Sequence, residues 1–321
     1  MSERTLTLFF VLFLISVGLY FYVQHREHAG ARSILVPLGQ KEWQQATSLE
    51  VRYQDRGFRL VKEQGRWLVV DGFLRPAKEE KVENLLKELA TLHGEPRAKG
   101  KKYFSRFKLN PKEALKLTLK KDGQTLVTLW VGKRGPQWES SFVRLGEGDE
   151  IYLVPLNLLA KFEIWADNPT APSAKAFVDR KVLDLKAQDL KYLAYQDHQA
   201  WTLRREGEDF LFSAGKKEKK LSEDQVSTFL KKVFPLFAEE LVPPEEFSTS
   251  QGRLRYETKT GLSGELLIGP CQKESDRQKK DSKGKQQTRS WCLLKRGEFV
   301  YRVKEESLRA LWKPPLGQEK K

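Results

Sequence analysis

The sequence predicts an α+β protein: an N-terminal transmembrane helix followed by two tandem repeats of a domain with an antiparallel sheet packed on a helix. Three observations lead there. Leu6 to Val23 is an uncharged apolar run, short alternating segments surround one amphipathic helix, and that order of segments occurs twice along the chain. With 321 residues the chain is long enough for two ordinary domains, each burying its own core. A composition of 39% hydrophobic residues with 18 Phe, 9 Tyr and 8 Trp excludes a disordered chain.

Residues 1–23 are read as a short cytoplasmic tail and the membrane helix, 6–23. Its uncharged residues would rise through about 27 Å at 1.5 Å each, close to the thickness of a bilayer core. Tyr20, Phe21 and Tyr22 at its end suit the headgroup interface. The competing reading is a cleaved signal peptide, with Ala29-Gly30-Ala31 as its small residues, but the apolar run is longer than a signal core and ends well before them. Flanking charge mildly favours the opposite orientation, with Arg4 on one side and Arg26, Arg32 and Lys41 on the other. A large following domain is translocated largely regardless of such differences. The expected location is the cytoplasmic (inner) membrane, single-pass, with the bulk of the chain extracytoplasmic or periplasmic. Residues 24–46 are read as a juxtamembrane stalk.

The first repeat spans 47–165 and the second 181–315, with 166–180 as a linker that begins ADNPTAPSAK and 316–321 as a tail. Each repeat opens on a strand, Val51 to Asp55 answered by Leu193 to Asp197, then a second, Trp67 to Val69 answered by Phe210 to Phe212. A helix follows, with Val82, Leu85, Leu86 and Leu89 matched by Val226, Phe229, Leu230 and Val233 at i, i+3, i+4, i+7. Ser222 and Gln225 form a capping box, and Pro76 marks the start of the first helix. A hairpin comes next, Leu115 to Leu119 with Thr125 to Val131 around Asp122-Gly123, repeated by Leu254 to Thr258 with Glu265 to Ile268. Gly132 and Gly269 end these pairs and imply tight backbone turns. A last hairpin pairs Phe142–Leu145 with Ile151–Val154, echoed by Trp291–Leu294 with Val300–Val303. A short helix closes each repeat, Leu156–Phe162 and Ser307–Leu311.

The net charge of +15 implies attraction to polyanions, whose nature depends on the compartment. Cys271 and Cys292 are the only cysteines and form a candidate disulfide in an oxidising compartment; two buried thiols are the alternative. They flank the insertion 272–289, which has seven basic residues, three acidic ones and nothing apolar, so it cannot fold by itself. Its Lys273, Arg277, Lys279, Lys280, Lys283 and Lys285 either meet an anionic partner as a mobile finger or belong to a solvated hairpin insertion. A second basic cluster contains Arg97, Lys99, Lys101 and Lys102, continues to Arg106 and Lys108, and is interleaved with Tyr103, Phe104 and Phe107. Such a mixture can grip nucleic acid. The expected location disfavours that partner, and the aromatic residues are read as anchoring the connection between helix and sheet.

Trp43, Trp130, Trp138, Trp165, Trp201 and Trp312 are candidates for a binding groove or for the core. The four histidines show no metal-ligand spacing, and neither a phosphate loop nor a Gly-x-Ser-x-Gly elbow occurs. No catalytic residue, cofactor site or metal site is therefore assigned.

The chain resembles the domain-of-unknown-function 4340 (DUF4340) family of bacterial membrane-anchored proteins. The likeness rests on the apolar anchor, Gly65-Arg66-Trp67-Leu68, Pro76-Ala77 leading into Val82-Glu83-Asn84-Leu85-Leu86, and FVDRKVLDL from Phe177 to Leu185. The resemblance implies no established activity. It does imply the company of ABC-type export permeases, and hence an accessory role in an envelope transport complex. The expected function is a non-enzymatic, membrane-anchored scaffold or adaptor. The alternatives are a binder of an anionic envelope polymer or lipid surface through the basic loops, and an unrecognised hydrolase.

Overall fold

The computed structural model describes residues 13, 15–18, 35–197, 200–280 and 286–312. In the first half of the chain the strands are β1 (Val36–Pro37), β2 (Ser48–Tyr53), β3 (Arg56–Glu63), β4 (Arg66–Asp71), β5 (Phe73–Pro76), β6 (His93–Lys99), β7 (Leu115–Lys121), β8 (Gln124–Arg134), β9 (Ser141–Leu145) and β10 (Glu150–Val154). The helices there are α1 (Glu79–Ala90), α2 (Phe104–Phe107) and α3 (Leu158–Lys161). The second half adds β11 (Lys181–Leu183), β12 (Leu190–Gln196), β13 (Trp201–Glu206), β14 (Asp209–Ala214), β15 (Lys217–Leu221), β16 (Leu236–Phe237), β17 (Glu240–Val242), β18 (Gly252–Thr258), β19 (Ser263–Lys280), β20 (Gln286–Arg296) and β21 (Phe299–Lys304), with α4 (Glu223–Leu230) and α5 (Glu305–Trp312).

The fold is mostly antiparallel sheet, which corrects the α+β expectation. Segments too polar or too short to announce themselves are strands because a neighbour fixes their register. The charged run of β15 pairs with β14 from Phe210↔Leu221 to Ala214↔Lys217, and β5 returns along β4 after Gly72 at φ 79°. Lysines at the outer strand of a sheet also discourage pairing with other chains.

The expected transmembrane helix is corrected as well. Among the described residues no helix is long and apolar enough to cross a membrane. The longest, α1, has 12 residues with six charged, or about 18 Å of rise, whereas a span needs about 20 apolar residues. Most of Leu6 to Val23 lies outside the described residues, as does much of 24–46 and all of 316–321.

By contacts the chain divides into two compact units, Met1–Gly57 with Glu83–Ser173, and Phe58–Val82 with Ala174–Lys321. The first unit contains seven strands in the neighbour order β1-β6-β10-β9-β8-β7-β2. Leu117 on β7 lies opposite Val51 of β2 and Leu129 of β8, and Val131 opposite Val143 of β9, so apolar residues from successive strands share the buried layer. Phe104, Leu109, Ala114, Trp130, Phe142 and Ile151 form a cluster of their own. Leu85, Leu86 and Leu89 of α1 are all buried.

In the second unit nine strands run β15-β14-β13-β12-β18-β19-β20-β21-β17. Alternation is clean along β18, where Leu254, Tyr256 and Thr258 are buried and Arg255 is exposed. The order β17-β21-β20-β19-β18-β12 has the same chain sequence as β6-β10-β9-β8-β7-β2 in the first unit, and the meander β13-β14-β15 has its counterpart in β3-β4-β5. That latter meander belongs by contacts to the second unit, so the compact units do not follow the boundaries expected for repeats. The segment read as a linker is packed: Ala174, Phe177 and Val178 are buried, and one of the three boundaries between the units, Ser173/Ala174, lies within it.

Candidate functional site

Gly100, at φ 115°, turns the chain out of β6 into a short 3-10 turn, Lys101–Tyr103, and then into α2. Lys108 ends that helix in the left-handed region at φ 59°, and its N–H bonds back to the Phe104 and Ser105 carbonyls. Phe104 enters the core, while Tyr103 and Phe107 stay half-buried against it. Lys101, Lys102 and Arg106 stand exposed.

Strand β8 passes directly against this turn. A Cβ on Gly132 would lie 2.1 Å from the Phe107 carbonyl oxygen, so only glycine permits the approach. The consequence is that Lys133 sits over two rings, 5.7 Å from Phe107 and 6.0 Å from Phe142, whose own centroids are 4.5 Å apart. Arg106 approaches the same Phe107 ring at 5.8 Å. Arg134 follows: its guanidinium lies 4.0 Å over Trp138 and pairs with Asp167, whose carbonyl accepts the Arg134 backbone N–H at 2.7 Å. The Trp138 carbonyl accepts a hydrogen bond from the Asn157 side chain at 2.7 Å, which fixes its loop.

Trp138 and Trp165 are exposed by 53% and 64%, with parallel rings 8° apart in tilt and centroids 6.5 Å apart. Large exposed aromatics in parallel, beside ordered cations, are uncommon unless a partner covers them. The six candidate tryptophans thus divide, since Trp43, Trp130 and Trp201 are buried and Trp312 is half-buried.

Two adjoining hollows, of about 600 and about 460 Å³, share Arg106, Phe107, Pro136 and Phe142 and make one continuous groove. The first also has Lys133, Arg134 and Trp138; the second has Arg97, Lys99 and Tyr103. Carboxylates neutralise part of the charge: Glu95 pairs with Arg97, Glu150 with Lys99, and Asp167 with Arg134. Arg106 and Lys133 have no carboxylate partner among the described residues.

At the rim the Tyr152 hydroxyl, then the Lys99 ammonium, hold the Glu150 carboxyl below its ordinary range. The Tyr152 phenol is itself pushed up to about 12, first by burial and then by bonding to Glu150. Behind the groove, Arg144 is buried, its guanidinium 4.7 Å from the Phe104 ring and 4.6 Å from Trp130 while it donates to the Leu109 and Gly146 carbonyls.

Of the residues singled out from sequence, Arg97 and Lys99 line the groove, whereas Lys101 and Lys102 stand on the turn beside it. Lys133, Arg134, Phe142 and Asp167 were missed. The available signal was the run Lys133-Arg134-Gly135-Pro136 ahead of an exposed tryptophan, a basic pair at a turn.

The other cluster is in the second unit. Cys271 and Cys292 form a disulfide between directly opposed residues of β19 and β20. The insertion behind it is a paired ribbon, with register from Gln272↔Trp291 to Lys280↔Gln286, which is the hairpin of the two alternatives and not the finger. Hydrogen bonding across the ladder supplies the order that its polar side chains cannot. Lys273 is exposed on β19, the backbone of Arg277, Lys279 and Lys280 continues that strand, and Lys283 and Lys285 lie outside the described residues.

A further cleft of about 750 Å³ in the second unit carries mixed charge, with Arg66 beside Glu298 and Arg296 donating to the Tyr256 hydroxyl at 3.1 Å and the Val182 carbonyl at 2.6 Å. Its guanidinium is thereby occupied. Among the described residues no group of three or more His, Cys, Asp or Glu could hold a metal ion.

The domain of unknown function DUF4340 matches residues 67–251, more than half of the chain. The chain belongs to the DUF4340 family. The match covers β4 to the end of the connection before β18, so it takes in the whole groove and stops short of the ribbon. No curated protein and no solved structure matches this DUF4340 chain. Its chemistry therefore rests on its own groove, which offers cationic donors held over aromatic rings.

Proposed function

We propose that this DUF4340 protein is a non-enzymatic adaptor that works on the outer side of the cytoplasmic membrane and binds another protein of an envelope transport complex, such as an ABC-type permease. The observation that carries this reading is the exposed, parallel Trp138–Trp165 pair beside Arg134. Tryptophan and arginine dominate the energetic centres of protein interfaces, because each covers a large area with few rotatable bonds and has a polar edge. The disulfide supports the compartment, since such bonds persist in oxidising surroundings.

The test is purification of the full chain from detergent-solubilised membranes, alongside the Trp138→Ala/Trp165→Ala variant. Co-purification of a transport component with the parent, lost in the variant, supports the reading. Recovery of no membrane component overturns it, as does recovery unaffected by the double substitution. A second reading, binding of an anionic envelope polymer, is favoured by the net charge of +15. Its signature is retention on a polyanionic matrix that falls steeply with salt and ignores the tryptophans.

A further inference from the structure

We propose that the groove between α2 and the β8–β9 connection receives an extended acidic segment of the partner protein, with two carboxylates engaging Arg106 and Lys133. This deepens the adaptor reading and rests on it. Three features point to an acidic peptide.

The first is charge. Five cations line the two hollows, and after Glu95, Glu150 and Asp167 have taken theirs, Arg106 and Lys133 remain without a carboxylate among the described residues. Both lie over the Phe107 ring, which attracts their positive charge and fixes their position while leaving their outer faces to solvent. Cations ordered in this way need little further immobilisation when an anion arrives.

The second is spacing. Each cation is within 6 Å of the same ring centroid, so the two are at most about 12 Å apart. Carboxylates two residues apart on an extended chain share a face and, at about 3.3 Å per residue, stand about 7 Å apart. An acidic pair with one intervening residue fits that interval.

The third concerns the rings. A sugar or nucleobase would need bare aromatic faces to stack on. Here Arg134 covers a face of Trp138, while Lys133 approaches both Phe107 and Phe142. The groove therefore displays guanidinium and ammonium groups backed by rings, the complement of carboxylates. The exposed Trp138 and Trp165 are left to cover an apolar residue beside the acidic pair.

The experiment is fluorescence titration of the full chain at about 0.15 M salt, where long-range attraction is screened beyond about 8 Å. The probe is a twelve-residue peptide with glutamates two residues apart; a peptide with glutamine in their place is the control. The glutamate peptide is expected to bind about tenfold more tightly than the glutamine one. R106E/K133E should weaken it by about tenfold or more, with R106Q/K133Q weaker by a smaller factor and serving if charge reversal disturbs folding. K217E/K219E removes the same charge from exposed positions of β15 and should leave affinity within about twofold.

Equal weakening by the groove and β15 variants overturns the proposal, because it marks general attraction to a basic protein. No preference for glutamate over glutamine also overturns it. So does groove-dependent binding of heparin or of phosphatidylglycerol vesicles without peptide binding, which would assign the groove to another class of anion. A transport component captured through Trp138 and Trp165 while the glutamate peptide fails would leave the adaptor standing and remove only the acidic segment.

Discussion

Arg144 is a buried cation with no carboxylate bonded to it among the described residues; burial lowers its guanidinium pKa, and only the charge of Glu147 opposes that. The group nonetheless stays charged, as arginine does in proteins. Its charge is compensated by the ring faces of Phe104 and Trp130 and by the Leu109 and Gly146 carbonyls. Arg144→Ala removes those contacts and leaves a void in the cluster that holds α2. The expected loss is about 3 kcal/mol, read as a lower midpoint in urea unfolding. Arg144→Lys should recover only part of it, because a point charge cannot lie flat between two rings while reaching two carbonyls.

Tyr152 gives a second test. Its phenol ionises at about 12 when folded and near 10.0 when free, so its contribution to stability is intact below pH 10 and is lost as pH rises from there to about 12. Tyr301, buried in the second unit, is pushed up to about 12 by the same cause and acts over the same window. Glu150 works in the other direction. Its carboxyl is held low, so its contribution is present above the free value of 4.5 and fades as pH falls through the folded one. Tyr152→Phe should therefore flatten the fall of the thermal midpoint with pH on both the acid and the alkaline sides. An unchanged profile would show that the hydroxyl does not hold Glu150.

Closing the segment between Cys271 and Cys292, 21 residues apart in sequence, should stabilise β19 and β20 by about 3 kcal/mol in the loop-entropy view. Thiol titration of non-reduced protein is expected to find no reactive cysteine. C271S/C292S should unfold at lower denaturant and show faster amide exchange along 272–280 and 286–291 than along β12 or β18.

A hairpin insertion was legible there in the sequence, but its register was not, since nothing apolar marks it and its order comes from pairing across the ladder. The better-read segments carried their own signals. Asp122-Gly123 sits in the expected hairpin with both residues at positive φ, and Ser222 accepts the Gln225 N–H as its capping box requires. Val82, Leu85, Leu86 and Leu89 are buried, as one apolar helix face must be.

Gly132 shows a right residue read for the wrong reason. It makes no positive-φ turn; it lets β8 pass the Phe107 carbonyl. Half of the groove was hidden for a related reason. Its cations are separated in sequence by β7 and are brought together only because α2 and β8 touch at that glycine. The exposure of Trp138 and Trp165 also depends on packing, which a list of tryptophans does not reveal.

The way the chain divides sets a prediction for cutting it. Sequence repeats suggest that opening the connection between Ser173 and Ala174 should yield two self-sufficient halves. The contacts of the second unit argue otherwise. Phe58 packs against Phe177 with ring centroids 5.9 Å apart, and Ala77 bridges Val178. The Lys78 N–H bonds to the Phe177 carbonyl at 2.7 Å, and the Asp179 N–H to the Pro76 carbonyl at 2.8 Å. Phe177 and Val178 are nearly fully buried, so residues 174–321 made alone would expose both side chains and leave backbone groups without partners. The expected outcome is that residues 174–321 alone lack a cooperative thermal transition, and that residues 35–173 added in trans restore one. A second half carrying residues 58–82 on a flexible glycine-serine linker should regain it without the other half. Cooperative unfolding of residues 174–321 by themselves would show that 58–82 is dispensable to that core.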